Sequence, residues 1–202
     1  MRYAPNHKDT TRARLLEVGG ALAKENGFGT TGVDKLMAAA GLTSGAFYAH
    51  FRSKGELLEA LVDSELTRSL ARFADKDDAG LLAALEGYLS PSHVERPAEG
   101  CAATSLTPEV ARASDGAKQS FEARMGDIHA AIAPHVADDG AAWALMAQAV
   151  GAVMLARAMA SSEARQAVLD GALANTRALV AAAKDSQATK VPEGSTKLLS
   201  NQ

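Results

Sequence analysis

Residues 30–58 read TTGVDKLMAAAGLTSGAFYAHFRSKGELL, and the punctuation of this stretch decides the fold. The Thr31 hydroxyl stands where it can cap a helix, with Asp34 three residues on as the shortened acid of a capping box. Val33, Leu36, Met37 and Ala40 then fall on one helical face. Gly41 stops that helix, because glycine alone takes the left-handed conformation cheaply. Thr43 or Ser44 caps a second short helix carrying Ala46, Phe47, Tyr48, His50 and Phe51. Ser53-Lys54-Gly55-Glu56 is a full S-x-x-E box that opens a long helix through Leu57, Leu58, Leu61, Val62, Leu66 and Leu70. Upstream, Asp9 or Thr10 caps a first helix through Leu15, Val18, Leu22 and Ala23, which Gly27 ends.

The rest of the chain agrees with a helical reading. Of 202 residues 44 are alanine, the best helix former, and no run alternates β-branched or aromatic residues at period two. The predicted class is all-α. Apolar residues make up 47% and charged residues 22%, which suits a packed core rather than a disordered chain. A single cysteine excludes an intramolecular disulfide framework and any cysteine-based zinc finger. The first eight residues, MRYAPNHK, hold no apolar run of a secretory signal, so a cytoplasmic location is expected.

Charge is uneven along the chain. Residues 1–55 hold eight Lys/Arg and four Asp/Glu, a net +4, and the whole chain is −3, so the remainder carries −7. A basic head on an acidic body suits a polyanionic partner. Beyond the head, Leu81, Leu82, Leu85 and Leu89 resume the helical pattern, and residues 90–100, with Pro91 and Pro97, read as a loop. Further helices are predicted over 106–113, 118–133, 141–161 and 163–185, and residues 186–202 are expected to be disordered. Residues 141–156 are apolar except for Gln148, but Ala- and Gly-rich and closed by Arg157, short of the roughly 20 strongly apolar residues of a span. No membrane is expected. With Val168, Leu169, Leu173, Leu179 and Val180 on the following helix, they offer more apolar surface than one chain covers, which predicts a homodimer.

Two short helices joined by a glycine turn fit a helix-turn-helix, whose second helix enters the major groove by its N-terminal residues. Any helical hairpin can share that spacing. The run from Thr30 to Leu58, however, closely resembles the N-terminal domain of the TetR/AcrR family of transcriptional regulators, over about residues 10–62. Met37 and Leu42 depart from the family's usual Ala and Val and remain apolar. The resemblance implies a DNA-binding domain over 1–62 and an effector-binding and dimerisation domain over 63–185. It implies that Thr31 and Lys35 lie near phosphates and that Thr43, Ser44, Gly45 and Ala46 face the groove. It further implies that Tyr48, His50 and Lys54 reach phosphates, Lys54 at a helix N-terminus, with Phe47 partly exposed beside them and Phe51 in the core. Arg2, Tyr3, Lys8 and Arg12 would form an accessory electrostatic arm.

In the body, Leu106, Phe121, Met125, His129, Trp143, Met146 and Met154 are the candidates for lining an effector pocket. Cys101 opens a G-C-x-x-x-x-L-x-x-E segment that resembles a subgroup in which this cysteine senses electrophiles or oxidants; a helix N-terminus there would lower a thiol pKa. Enzyme motifs are lacking: there is no G-x-G-x-x-G or Walker run, and Ser44 sits one place late for a nucleophile elbow. His129 and His135, six apart across Pro134, do not share a helical face as metal ligands would, and no cofactor or metal is expected. The expected function is a repressor released from a near-palindromic double-stranded operator by a small-molecule effector. The competing expectation is a helical small-molecule-binding or interaction module with weak, nonspecific DNA affinity.

Overall fold

A computed structural model describes residues 5–189, with side chains over 8–183. Among the described residues the fold is all-α, an N-terminal helix-turn-helix followed by a C-terminal helical body. The head consists of α1 (Pro5–Asn26), α2 (Val33–Ala39), a 3₁₀ helix (Ser44–Ala49) and the first half of α3 (Lys54–Leu70). The body adds α4 (Asp78–Tyr88), α5 (Pro91–Glu95), α6 (Ala103–Ala111), α7 (Asp115–Ile132), α8 (Asp139–Ala158) and α9 (Ser162–Thr189). α3 runs unbroken from head to body.

Local chemistry sets the head's joints. Gly27 and Gly41 have φ of +81° and +73°, the left-handed stops that the sequence predicts. After α2 the Gly41 N–H bonds Ala38 O at 3.0 Å and the Leu42 N–H bonds Met37 O at 2.9 Å, a Schellman closure. The Ser53 box closes with its return bond shifted by one residue: Ser53 Oγ accepts from the Glu56 N–H at 3.1 Å, and Glu56 Oε2 accepts from the N–H of Arg52, the residue before the cap, at 2.7 Å. The start of α2 is different from the expectation. Gly32 is its N-cap, and the Thr31 hydroxyl instead donates to Gly27 O at 2.7 Å, tying the turn to the end of α1.

Three other segments also depart from the sequence reading. Residues 90–100 are not a plain loop: Ser90 caps α5, Pro91 takes its first position, and a 3₁₀ turn (Pro97–Glu99) follows. α1 begins before Thr10, at Pro5. α9 continues through 186–189, so the expected disorder does not begin at 186; residues 190–202, like Arg2 and Tyr3, lie outside the described residues.

One continuous apolar core joins head and body, from Leu15, Leu36, Phe47 and Phe51 through Leu61 and Leu66 to Leu106, Ile132, Leu145 and Leu169. α7 packs along α3, pinned by Arg124 Nε on Asp63 Oδ1 at 2.8 Å. α8 is long and apolar enough to cross a membrane by length and composition, but Leu145, Met146, Ala149 and Val153 pack into the core. It is not buried all round, as its composition suggests: Trp143, Met154 and Leu155 stay exposed.

Candidate nucleic-acid interface and effector chamber

At the start of the 3₁₀ helix, Thr43, Ser44 and Gly45 are exposed, and the Thr43 side chain makes no capping bond. A Cβ at Gly45 would meet nothing within 4 Å, so the backbone there is open to a close partner. Lys35 and Tyr48 are exposed, Tyr48 at 75%, while Ala46, His50 and Lys54 are half-buried. Lys54 Nζ donates to Gly29 O at 3.1 Å and lies 4.8 Å from the Phe28 ring centroid, which holds the ammonium at the rim of the head. The 3₁₀ geometry is tighter than the α-helix expected, and it presents its cap Thr43 with Ser44 and Gly45 as a compact knuckle.

Two of the expected contact residues point elsewhere. Phe47 is 1% exposed, with its ring edge-on to Tyr48 at 5.3 Å and tilted on Phe51 at 5.8 Å. It anchors the knuckle from behind and offers no surface to a duplex. Thr31 is buried as well, its hydroxyl spent on Gly27 O. Sequence reasoning missed Arg14, exposed on α1, whose guanidinium lies 3.7 Å from the place a Cβ would take on Gly41. Arg12 is occupied against the Phe51 ring at 5.1 Å.

In the body, an apolar chamber brings together Cys101, Met125 and Met146 from the expected set with Phe73, Tyr88 and Ile128, its volume only about 30 Å³. Leu85, Ala103, Ile132, Ala149 and Val150 complete its walls. The α7 spacing Met125, Ile128, Ile132 could have disclosed that face; nothing local points to Tyr88. Leu106, Phe121, His129 and Trp143 do not line the chamber. Leu106 is buried in the core beside it and Phe121 packs on that core from the edge. His129 stacks on Trp143 at 4.5 Å, outside, where Trp143 is 47% exposed.

Cys101 precedes α6, which starts at Ala103, and is 4% exposed. It is a chamber wall, not an accessible thiol at a helix N-terminus. Its backbone N–H donates to His93 Nε2 at 3.0 Å, and His93 Nδ1 lies 2.7 Å from Tyr88 O. The imidazole is therefore neutral with its proton on Nδ1. Burial holds its pKa below the ordinary 6.5, and the Arg157, Arg72 and Lys24 charges push the same way against the Tyr88 carbonyl. The Tyr88 hydroxyl is buried beside the Cys101 thiol; burial raises its pKa well above 10.0, and Cys101 adds to that.

Two links run from this region to the head. Lys24 of α1 donates to Glu65 Oε2 at 2.6 Å and to Gly100 O at 3.0 Å, all buried. Burial lowers the Lys24 pKa from 10.5 while the Glu65 bond draws it back up. At the other end of α6, Glu109 Oε1 accepts from the Gly29 N–H at 3.1 Å.

Comparison with known proteins agrees with this architecture. Residues 15–61 match the family described as bacterial regulatory proteins, tetR family. The HTH-type transcriptional regulator TtgR of Pseudomonas putida is 34% identical over 80 residues, 39% of this chain and 38% of TtgR. The HTH-type transcriptional repressor KstR2 of Mycobacterium tuberculosis is 35% identical over 86 residues, 42% of this chain and 43% of KstR2. The chain thus matches about two fifths of the length of these relatives. Reduced Escherichia coli NemR superposes with a TM-score of 0.69 at 23% identity, over 84% of this chain and 97% of NemR. A TetR transcriptional regulator of Chloroflexus aurantiacus superposes with a TM-score of 0.66 at 24% identity, over 84% and 95%. The helix-turn-helix lies inside the segment that matches the tetR family, and over 84% of its length the chain shares the fold of these two solved structures.

Proposed function

We propose that the chain is a cytoplasmic DNA-binding transcriptional regulator, a homodimeric repressor released from a near-palindromic operator by a small-molecule effector. The observation that carries this reading is the exposed knuckle Thr43-Ser44-Gly45, held on a frame closed by the Gly41 stop and the Ser53–Glu56 box. Short side chains let the backbone approach a duplex, and hydroxyls bond bases or phosphates. Lys35, Tyr48, His50 and Lys54, with Arg14, supply the surrounding phosphate contacts. Residues 1–62 serve as the reading head and 63–185 as the effector and dimerisation body.

A second copy of the chain fits the exposed faces of α8 and α9. Ala167, Gly171, Ala174, Ala178 and Ala181 recur on α9 at alternating spacings of four and three, all exposed, beside Trp143, Met154 and Leu155 of α8. Such small residues let two helices approach closely. A two-fold axis there gives two heads and half-sites about one helical turn apart.

Release is linkage between two sites. An effector that binds better to the head spacing unsuited to the operator weakens DNA binding by the same coupling free energy. α6 and the Lys24–Gly100 bond give that coupling a physical route from chamber wall to α1.

The test is selection of genomic fragments by the purified protein at about 150 mM salt, a physiological ionic strength. Enrichment of one or a few near-palindromic sites is expected. Salt-sensitive background alone would refute the regulator and favour a helical binding module with nonspecific DNA affinity.

A further inference from the structure

A second cavity lies on the other side of Tyr88, between the end of α3, α4 and the α5 segment, with a volume of about 250 Å³. That is room for about eight liquid waters, or a small organic molecule. It is far larger than the chamber, and Tyr88 is the wall the two share. Ala84 and Gly87 keep it open. A Cβ on Gly87 would meet nothing within 4 Å, so this helical glycine leaves a space that a side chain could fill.

The charges around the cavity are one-sided. Arg72 and Arg96 stand at its rim, and Arg157 lies behind its floor, where its Nη2 is 3.0 Å from the place a Cβ would take on Gly100. Arg96 pairs with Glu99 at 3.2 Å. Arg72 donates to the Glu99 backbone carbonyl at 2.8 Å, and Arg157 is bonded to the His93 and Val94 carbonyls and the Thr104 and Ser105 hydroxyls. Among the described residues no carboxylate lies within 4.0 Å of Arg72 or Arg157, so Glu99 alone answers three guanidinium groups at this cavity. His93 adds a neutral ring to the floor. An exposed guanidinium bound only to a carbonyl retains donors for an anion, and its planar fork matches a carboxylate.

We propose that this cleft binds a small organic carboxylate as the effector, its carboxylate between Arg72 and Arg96 and its apolar end against the Tyr88 ring. This rests on the regulator reading and names the effector's class. The apolar end meets Tyr88, Ala84 and Gly87, and outward displacement of the Tyr88 ring would join the cleft to the chamber of Cys101, Met125 and Met146. The cleft floor is also where the body grips the head. Gly100 lines it, and the Gly100 carbonyl is the one that Lys24 of α1 holds. A ligand that shifts the His93–Cys101 segment therefore loads that bond directly. The neighbouring chamber, at about 30 Å³, has space for about one water and takes a ligand only after Tyr88 or a methionine moves.

Isothermal titration calorimetry on the full chain tests this without DNA. The probes are phenylacetate, hexanoate and octanoate, their neutral counterparts 2-phenylethanol and octanamide, and inorganic phosphate. At least one carboxylate is expected to bind, its neutral counterpart about tenfold more weakly or worse, a tenfold step being one decade of Kd. Arg72→Gln, at an exposed side chain, is expected to weaken binding about tenfold, and Gly87→Leu, which fills the space, to abolish it. The proposal is overturned if no carboxylate binds, if the neutral analogues bind equally well, if Arg72→Gln has no effect, or if phosphate displaces the bound carboxylate. Because no operator enters this titration, its failure leaves the regulator standing, and failure of fragment selection leaves the titration interpretable.

Discussion

Replacing Lys24 by Met would strip the centre of the head–body junction. Lys24 and Glu65 have side chains 1% and 2% exposed and meet at 2.6 Å, 41 residues apart in sequence. Removing the ammonium strands the Glu65 carboxylate among apolar groups, and the Gly100 carbonyl loses its donor as well. Breaking a buried pair by deleting one partner costs about 3–5 kcal/mol. Here the low end applies, because Arg68 still bonds Glu65 from a half-exposed position. A loss of about 3 kcal/mol lowers the melting temperature of a chain this size by about 6–12 °C. Urea unfolding followed by circular dichroism reads the free energy directly. Adding Glu65→Gln to Lys24→Met removes the stranded charge and is expected to recover at least half of the loss. A cost under about 1 kcal/mol for the single variant, or a second substitution that simply adds its own cost, would refute the coupling. The same variant also cuts the Lys24–Gly100 tether, so effector release of DNA should lose coupling.

Phe47→Ala and Tyr48→Ala should separate stability from binding: the first costs about 3–5 kcal/mol by emptying the head core, while the second leaves stability within about 0.5 kcal/mol and weakens DNA binding, as unfolding curves and gel shifts will show. Lys54→Ala should weaken binding to every sequence and lower the salt slope by about one unit; a changed sequence preference at constant slope would contradict the phosphate role. His93 is neutral in the fold and its pKa lies below 6.5, so the unfolded chain takes up the extra proton. Stability from this group is complete above pH 6.5 and falls as pH drops toward the folded pKa, by at most about 1.4 kcal/mol per pH unit, and His93→Gln should flatten that part of the profile. Cys101, buried in the chamber wall, should react with an aromatic disulfide reagent far more slowly in the native protein than in urea; equal rates would mean the thiol is reached from outside, as an electrophile sensor requires.

Much of the head was legible in order, because its joints are governed by rules that act over three to five residues. Gly27 and Gly41 end helices wherever they stand with left-handed φ, and Ser53 with Glu56 closes its box without help from the rest of the chain. The candidate interface was legible in part for the same reason. Thr43, Ser44 and Gly45 are exposed because they begin a helix at the surface, whereas Phe47 and Thr31 turn inward because of what surrounds them. Phe47 sits on Phe51, and Thr31 finds the carbonyl of Gly27. The chamber was the least legible element. Its walls come from the turn after α3, from α4, the start of α6, α7 and α8, and no periodicity within one helix says which neighbour will stand opposite.

The sequence by itself determined the all-helical class, the stops and caps of the head and the resemblance that its residues carry, since each depends on backbone preference and on side chains a turn apart. Only the tertiary structure decided that Lys24 meets Glu65 and Gly100 across 41 and 76 residues, that Tyr88 divides a tight apolar chamber from a cleft rimmed by arginines, and that α8 keeps one apolar face uncovered. These are pairings between distant segments. They are settled by how helices pack side by side, and local propensity carries no record of the partner.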